Sequence, residues 1–115
     1  MVVDDDDVIR DLIVDALSYE GYVVNSAPNG AAALAVVHLR QPDLILLDLD
    51  MPIMNGREFA LRYRELRGHH APIVIVTAGL DSRRSAAEMG ADYTLAKPFD
   101  IGDLLSVVAR YVLTA

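Results

Sequence analysis

The sequence contains no cysteine, and it has no long run of apolar residues. Without cysteine the chain forms neither a disulfide nor a thiolate metal site, which is typical of a protein in a reducing compartment. No apolar stretch approaches the roughly 18 residues that a membrane-spanning helix needs, and the acidic start MVVDDDD differs from a secretory signal. We therefore expect a cytoplasmic protein that does not contact a membrane.

Positive charge is scarce as well. The chain has 10 Lys and Arg residues against 17 Asp and Glu residues, which gives a formal net charge of -7. Binding to the phosphate backbone of a nucleic acid favours a basic surface, so we expect no direct nucleic-acid partner. Proteins and cations are the expected partners. The alternative, that the charge only keeps a small domain soluble, stays open.

The length of 115 residues, with 53% hydrophobic residues, predicts a single domain over residues 1–115. Apolar or β-branched runs predict strands at about 1–4, 22–27, 43–49, 72–78 and 92–97. Helical patterns follow each of them, at about 7–19, 30–40, 56–67, 82–89 and 101–113. Runs such as DLILLDL do not alternate, which indicates strands covered on both faces. The fold class is therefore α/β, with a doubly wound parallel sheet.

Residues that carry chemistry stand at the ends of four predicted strands. Asp4 and Asp5 end the first strand, Asp48 the third, Thr77 the fourth and Lys97 the fifth. In open parallel sheets, sites form beyond the carboxyl ends of the strands. We therefore expect these five side chains to meet in one cleft.

The acidic residues of this cleft predict a bound cation. Two carboxylates about 4 Å apart repel each other by about 4 kcal/mol at an effective dielectric near 20. Oxygen-only ligands favour Mg²⁺ over a transition metal. The run from Asp4 to Asp7 also fits a helix N-terminus, an interpretation that suits Asp6 and Asp7 better than Asp4 and Asp5. Together with a hydroxyl and a lysine, these acids are typical of phosphoryl transfer to a carboxylate.

These features resemble the receiver domains of two-component response regulators, which include the bacterial chemotaxis response regulator. The resemblance runs nearly from end to end, through VVDDDDVIRDLI, EGYVV, PNGAAAL, PDLILLDLDMPIMNG, PIVIVTAG, GADYTLAKPFD and DLLSVVARYV. It implies a flavodoxin-like (βα)5 fold with strand order 2-1-3-4-5. It also implies a sensor histidine kinase or histidine phosphotransfer protein as phosphodonor, and a downstream protein target.

The resemblance implies a role for each residue of the metal site. Asp48 is implied to be the phosphoacceptor and a ligand of Mg²⁺. Asp4 and Asp5 resemble the acid pair that holds the metal, Asp5 more directly and Asp4 partly through water. Asp50 is implied to offer its backbone carbonyl.

The phosphoryl group is implied to contact three further residues. Lys97 would pair with it, Thr77 would donate a hydrogen bond, and Ala78 would donate its backbone N–H. The peptide bond between Lys97 and Pro98 is implied to be cis. A phosphorylated receiver of this kind switches a protein-binding face formed by the helix at 82–89, the strand at 92–97 and the helix at 101–113. The domain is expected to catalyse only its own phosphorylation and dephosphorylation.

One position departs from the family pattern. Receivers usually carry Tyr or Phe three residues before the lysine, and this chain has Thr94 there, with Tyr93 one residue earlier. A shift of one residue in a strand turns the side chain to the other face. We therefore expect Tyr93 to pack against a helix, and the switch to work without an aromatic rotamer change. Val107 replaces the basic residue of receivers that dimerise before a winged-helix domain, so a monomer or weak dimer is expected.

Two other functions remain as alternatives. The DLD of LLDLDMP also resembles the first motif of haloacid-dehalogenase-type phosphatases, in which the first Asp is the nucleophile. In that family the motif lies on the first strand and the acidic metal pair comes late, whereas here Asp4 and Asp5 precede DLD. A flavodoxin-like scaffold without phosphorylation is the third hypothesis, and it leaves the cleft residues without a role.

Overall fold

The computed structural model describes residues 1–78, 84 and 87–113. The strands are Val2–Val3 (β1), Ser26–Ala27 (β2), Ile45–Leu47 (β3), Ile73–Thr77 (β4) and Tyr93–Ala96 (β5). The helices in the described part of the chain are Asp7–Tyr19 (α1), Gly30–Leu39 (α2), Gly56–Glu65 (α3) and Ile101–Leu113 (α4). Half of the helix predicted at 82–89, residues 82, 83, 85 and 86, lies outside the described residues. No helix in the described ranges is long and apolar enough to cross a membrane.

The five strands form one parallel sheet in the order β2-β1-β3-β4-β5. This order and the flavodoxin-like fold confirm the prediction. Val3 of β1 is paired with Leu47 of β3, and Leu47 with Ile75 of β4. The residues that follow β1 and β3 are therefore neighbours at the carboxyl edge of the sheet.

The apolar core consists of two clusters, one on each face of the sheet. Ile73 and Ile75 of β4 belong to the first cluster, with side chains of α2 and α3, whereas Val74 and Val76 belong to the second, with side chains of α1 and α4. Because both faces are covered, successive residues of β1, β3 and β4 are all buried. This explains why the strand runs are apolar without alternation.

The strands are shorter than predicted, most clearly β2, which comprises Ser26–Ala27 instead of residues 22–27. β2 lies at the edge of the sheet and pairs with β1 alone, and β1 itself offers Val2–Val3. The pairing between two strands cannot extend beyond the shorter strand, so the apolar residues before Ser26 stay outside β2. The bounds of α1 and α4 agree with the prediction, whereas α3 ends at Glu65 because Leu66 has an extended backbone.

Candidate functional site

Three aspartates converge at the carboxyl edge of the sheet. Asp4 and Asp5 follow β1, and Asp48 follows the neighbouring strand β3. The backbone of Asp48 is held beside β1 by a hydrogen bond of 2.9 Å from its N–H to the Val3 carbonyl. One carboxylate oxygen from each aspartate lies within 4.8 Å of the others. Asp4 and Asp48 are buried, with 2% and 7% of their surface exposed, whereas Asp5 is exposed. The cluster therefore has a buried base and one side open to solvent.

Lys97 reaches this cluster from β5, on the far side of β4. Its Nζ lies 2.9 Å from Asp4 Oδ2 and 3.8 Å from Asp48 Oδ2. The Lys97–Pro98 peptide bond is cis, as the resemblance implies. The ammonium group thus offsets part of the charge of two buried carboxylates, which would otherwise repel each other in a region with little water.

The local environment raises the pKa of Asp48 to about 7. Burial of the carboxyl group is the main cause, and the charges of Asp4 and Asp5 add to it. The Lys97 charge and a hydrogen bond from the Asp50 backbone N–H act in the opposite direction. A carboxylate must be ionised to act as a nucleophile or a metal ligand, so this site favours a further cation. Its all-oxygen donor set fits a hard divalent ion such as Mg²⁺.

Thr77 ends β4, the strand between β3 and β5. The residue is 1% exposed, and its Oγ1 has no hydrogen-bond partner among the residues that the structure describes. A buried hydroxyl without a partner costs about 1–3 kcal/mol, which is recovered when an acceptor arrives. Ala78 follows Thr77 at the same edge. The edge therefore offers a hydroxyl donor that the described part of the chain does not use.

Gly56, at the start of α3, was not singled out as a site residue from the sequence. A Cβ at this position would lie 2.3 Å from the carbonyl oxygen of Asp48. The Gly56 N–H donates to the Leu49 carbonyl at 3.0 Å, and the Asn55 side chain caps α3 through the Glu58 N–H. In the sequence, this helix start is indicated by the Asn-Gly pair just before a helical pattern. The absence of a side chain at Gly56 allows α3 to start directly against the phosphoacceptor candidate.

The structure places Tyr93 and Thr94 on opposite faces of β5. Tyr93 is paired with Val74, which belongs to the cluster on the α1 and α4 side, and its ring centroid lies 6.2 Å from that of Tyr111 in α4. Thr94 is paired with Ile75, which belongs to the other cluster. No bulge brings the Tyr93 ring to the face of Thr94. The aromatic side chain therefore packs on a helix, on the face away from position 94.

The model of the response regulator receiver domain family matches residues 1–109. Among curated proteins, the sporulation initiation phosphotransferase F of Bacillus subtilis (strain 168) is 36% identical over 113 residues, which cover 97% of this chain and 91% of that protein. Response regulator MprA of Mycobacterium ulcerans (strain Agy99) is 36% identical over 108 residues. These cover 92% of this chain but 46% of MprA, so the chain spans about half the length of that relative.

Solved structures show the same fold at similar levels of identity. The chemotaxis response regulator CheY4 of Vibrio cholerae has a TM-score of 0.88 and 32% identity, and the alignment covers 96% of this chain and 94% of that chain. A CheY-like response regulator receiver domain protein from Methanospirillum hungatei JF-1 has a TM-score of 0.87 and 30% identity, with 98% and 91% covered.

Proposed function

The chain belongs to the receiver domain family of two-component response regulators, and on this premise we propose that Asp48 accepts a phosphoryl group from a phosphohistidine. Receiver domains of this family interact with histidine kinases and with downstream effectors. The observation that supports Asp48 most directly is its burial beside two further aspartates and Lys97. Within this cluster, Asp48 is the carboxylate that follows β3, the middle strand of the sheet.

In the proposed reaction, a carboxylate oxygen of Asp48 attacks the phosphorus of the phosphohistidine. The new P–O bond forms as the P–N bond breaks, and the electron pair of that bond returns to the imidazole nitrogen. The product is an aspartyl phosphate. Because the nucleophile must carry a charge, the pKa of about 7 makes ionisation of Asp48 the first requirement of the reaction.

The proposed Mg²⁺ ligands are the carboxylates of Asp4, Asp5 and Asp48 and the backbone carbonyl of Asp50. When bound, Mg²⁺ supplies positive charge that favours ionised Asp48 and offsets the charge of the phosphoryl oxygens. Lys97 would exchange part of its contact with Asp4 for a phosphoryl oxygen. The Thr77 hydroxyl and the Ala78 N–H would donate to the other oxygens, which gives the buried Oγ1 of Thr77 an acceptor.

We also propose that the domain transfers phosphate only onto and off itself. The acid pair follows β1 and the acceptor follows β3, which is the reverse of the order in haloacid-dehalogenase-type phosphatases. Asp50, which would be the acid-base of such an enzyme, is exposed and donates its backbone N–H to Asp48. This geometry suits an acceptor better than a turnover catalyst.

Two surfaces are proposed for partners. Next to the site, α1 exposes the apolar side chains of Val8 and Leu12, which are 78% and 49% exposed, and this face suits the phosphodonor protein. The output face is proposed to comprise the segment at 82–89, β5 and α4. Since Tyr93 is packed on Tyr111, the signal would pass through the backbone after Thr77 and through β5.

The test is incubation with Mg²⁺ and acetyl phosphate, followed by intact-mass measurement. We expect one added phosphoryl group that is labile to base and hydroxylamine, and no addition in Asp48→Asn. Asp43→Asn is the matched control, because Asp43 is an exposed acid that precedes β3, at the amino ends of the strands. This variant should be phosphorylated like the wild type. Phosphorylation that persists in Asp48→Asn, or multiple turnovers of a phosphomonoester, would contradict the proposal.

A further inference from the structure

Arg10 is a largely buried charged residue to which the proposed phosphoryl transfer assigns no role. It lies in the first turns of α1, and its side chain is 16% exposed. Its Nη1 donates to the backbone carbonyl oxygen of Asp4 at 2.7 Å, and its Nη2 donates to the carboxylate of Asp7. The guanidinium group thus joins the end of β1 to the start of α1.

The segment between these two attachment points carries both acids of the proposed metal pair. The carboxylate of Asp4 is held at both oxygens, by the Asp6 N–H at 2.9 Å and by Lys97 Nζ at 2.9 Å. The carboxylate of Asp5 accepts no hydrogen bond from any residue that the structure describes. Its direction therefore depends on the backbone of residues 4–7, and so on whatever holds that backbone in place.

We infer that Arg10 is a positioning residue for the metal site, which acts by holding residues 4–7 in the conformation where Asp4, Asp5 and Asp48 converge. The inference rests on the proposed Mg²⁺ site. Arg suits the task because its planar fork donates two hydrogen bonds in fixed directions, which the single ammonium of Lys does not. Asp7, the other end of the bridge, is exposed and lies outside the cluster of Asp4, Asp5 and Asp48.

The hydrogen bonds of Arg10 and its positive charge have opposite effects on the affinity of the site for Mg²⁺. Arg10 is a cation near a cation site, so the loss of its charge alone would strengthen Mg²⁺ binding. The loss of its hydrogen bonds would weaken it, by about tenfold if Arg10 resembles other residues that orient metal ligands. The direction of the change therefore distinguishes a positioning residue from a charge that only happens to be nearby.

The experiment is calorimetric titration of Mg²⁺ into the full chain, well below the melting temperature, with far-UV circular dichroism to verify folding. We expect Arg10→Met to raise the Kd for Mg²⁺ about tenfold. Arg10→Lys, which keeps the charge but has a single donor nitrogen, should recover part of the loss. Arg62→Met is the matched control, because Arg62 is exposed in the last turn of α3, and its Kd should change by less than about twofold. A Kd for Arg10→Met that equals or falls below that of the wild type overturns the inference.

A second pair of variants covers the case in which Arg10→Met does not fold. Asp7→Asn loosens the same bridge from its exposed end, and Asp11→Asn removes the same charge one turn further along α1. Weaker Mg²⁺ binding in Asp7→Asn than in Asp11→Asn supports the inference, and equal binding overturns it. A wild-type protein that binds no Mg²⁺ overturns the proposed metal site together with the inference, whereas unchanged binding in the variants overturns the inference alone.

Discussion

At the scale of single residues, Asp48 must satisfy two opposing conditions. It has to be buried, because a water-free site strengthens its interactions with a cation and with Lys97. It also has to be ionised, although burial raises its pKa to about 7. Because of this conflict, the metal-free folded protein is more stable with a protonated Asp48, or with a neutral residue at this position, than with an ionised Asp48. A residue suited to the reaction is thus unfavourable for metal-free stability.

The first prediction concerns stability as a function of pH without metal. The folded-state pKa of Asp48 is raised from 3.8 to about 7, so the stability that its protonated form contributes is complete below 3.8 and is lost as the pH rises through 7. Asp48→Asn does not titrate, so its advantage over the wild type should grow by about 2–3 kcal/mol between pH 5 and pH 8. Urea unfolding in EDTA, followed by far-UV circular dichroism, measures this difference. An equal difference at both pH values would be evidence against the raised pKa.

At the scale of elements, the site depends on how closely helix starts approach strand ends. α1 begins with Asp6 as its cap, whose carboxylate accepts from the Val8 and Ile9 N–H groups. The four-acid run therefore divides into two acids of the proposed metal pair, the capping Asp6, and Asp7, which pairs with Arg10. α3 begins at Gly56, against the Asp48 carbonyl. The two helix starts fix the backbone conformation of the residues that follow β1 and β3.

A second prediction follows from the contact of α3. In Gly56→Ala the new Cβ would meet backbone atoms, with 2.3 Å to the Asp48 carbonyl oxygen and 2.9 Å to the Leu49 Cα, and backbone cannot move as a flexible side chain does. We expect a loss of about 2 kcal/mol or more in the free energy of unfolding, and slower phosphorylation by acetyl phosphate. Gly102→Ala is the control, because nothing lies within 4 Å of its added Cβ, and Ala should stabilise α4 by up to about 1 kcal/mol. Equal effects of the two substitutions would contradict this account of Gly56.

A third prediction concerns β5 and α4. The Tyr93 and Tyr111 rings pack together, and the Tyr111 hydroxyl donates to the Asp92 carbonyl at 2.9 Å. We expect beryllofluoride with Mg²⁺ to shift the amide resonances of β5 and α4, while the contact between the two rings persists in nuclear Overhauser spectra. Shifts confined to residues next to Asp48 would show that the signal does not reach this face. Loss of the ring contact would instead assign Tyr93 a part in the switch.

At the scale of the whole molecule, the protein combines a net charge of -7 with a cluster of acids at one edge of the sheet. Lys97 is paired with this cluster, and no other described Lys or Arg forms an ion pair with Asp4 or Asp48. A ligand that binds only the folded state stabilises it in proportion to the logarithm of its concentration. A divalent cation should therefore stabilise the fold as well as complete the site.

The fourth prediction is that Mg²⁺ raises the free energy of unfolding of the wild type by about 1–2 kcal/mol at a ten- to thirtyfold excess over its Kd. Asp5→Asn should lose most of this increase, because it removes the exposed ligand without creating a buried unpaired group. Sodium chloride at equal ionic strength controls for simple screening of the net charge. If that salt stabilises the protein as much as Mg²⁺ does, the effect is not site binding.

The amino-acid sequence is enough to predict the order of strands and helices, the doubly wound fold and the positions of the strand-end residues, and its resemblance to receiver domains predicts the family. The elements and the strand-end residues follow from local patterns, since apolar runs, breakers and covalent order decide where each strand ends. The family and the strand order follow from the resemblance to receiver domains. The departure at Thr94 is also predictable from the sequence. Side chains alternate between the two faces of a strand, so the number of residues between a position and Lys97 decides which face its side chain takes.

The contacts that hold the site, and the charge of its groups, depend on tertiary packing. The bond between Lys97 and Asp4 joins residues 93 positions apart, and the contact of Gly56 with Asp48 depends on the path of a loop. Packing between segments likewise produces the two hydrogen bonds of the Arg10 guanidinium and the raised pKa of Asp48. It also buries the Thr77 hydroxyl, which has no hydrogen-bond partner in the described part of the chain. A linear pattern contains no distances between such segments, and burial and hydrogen bonding depend on those distances.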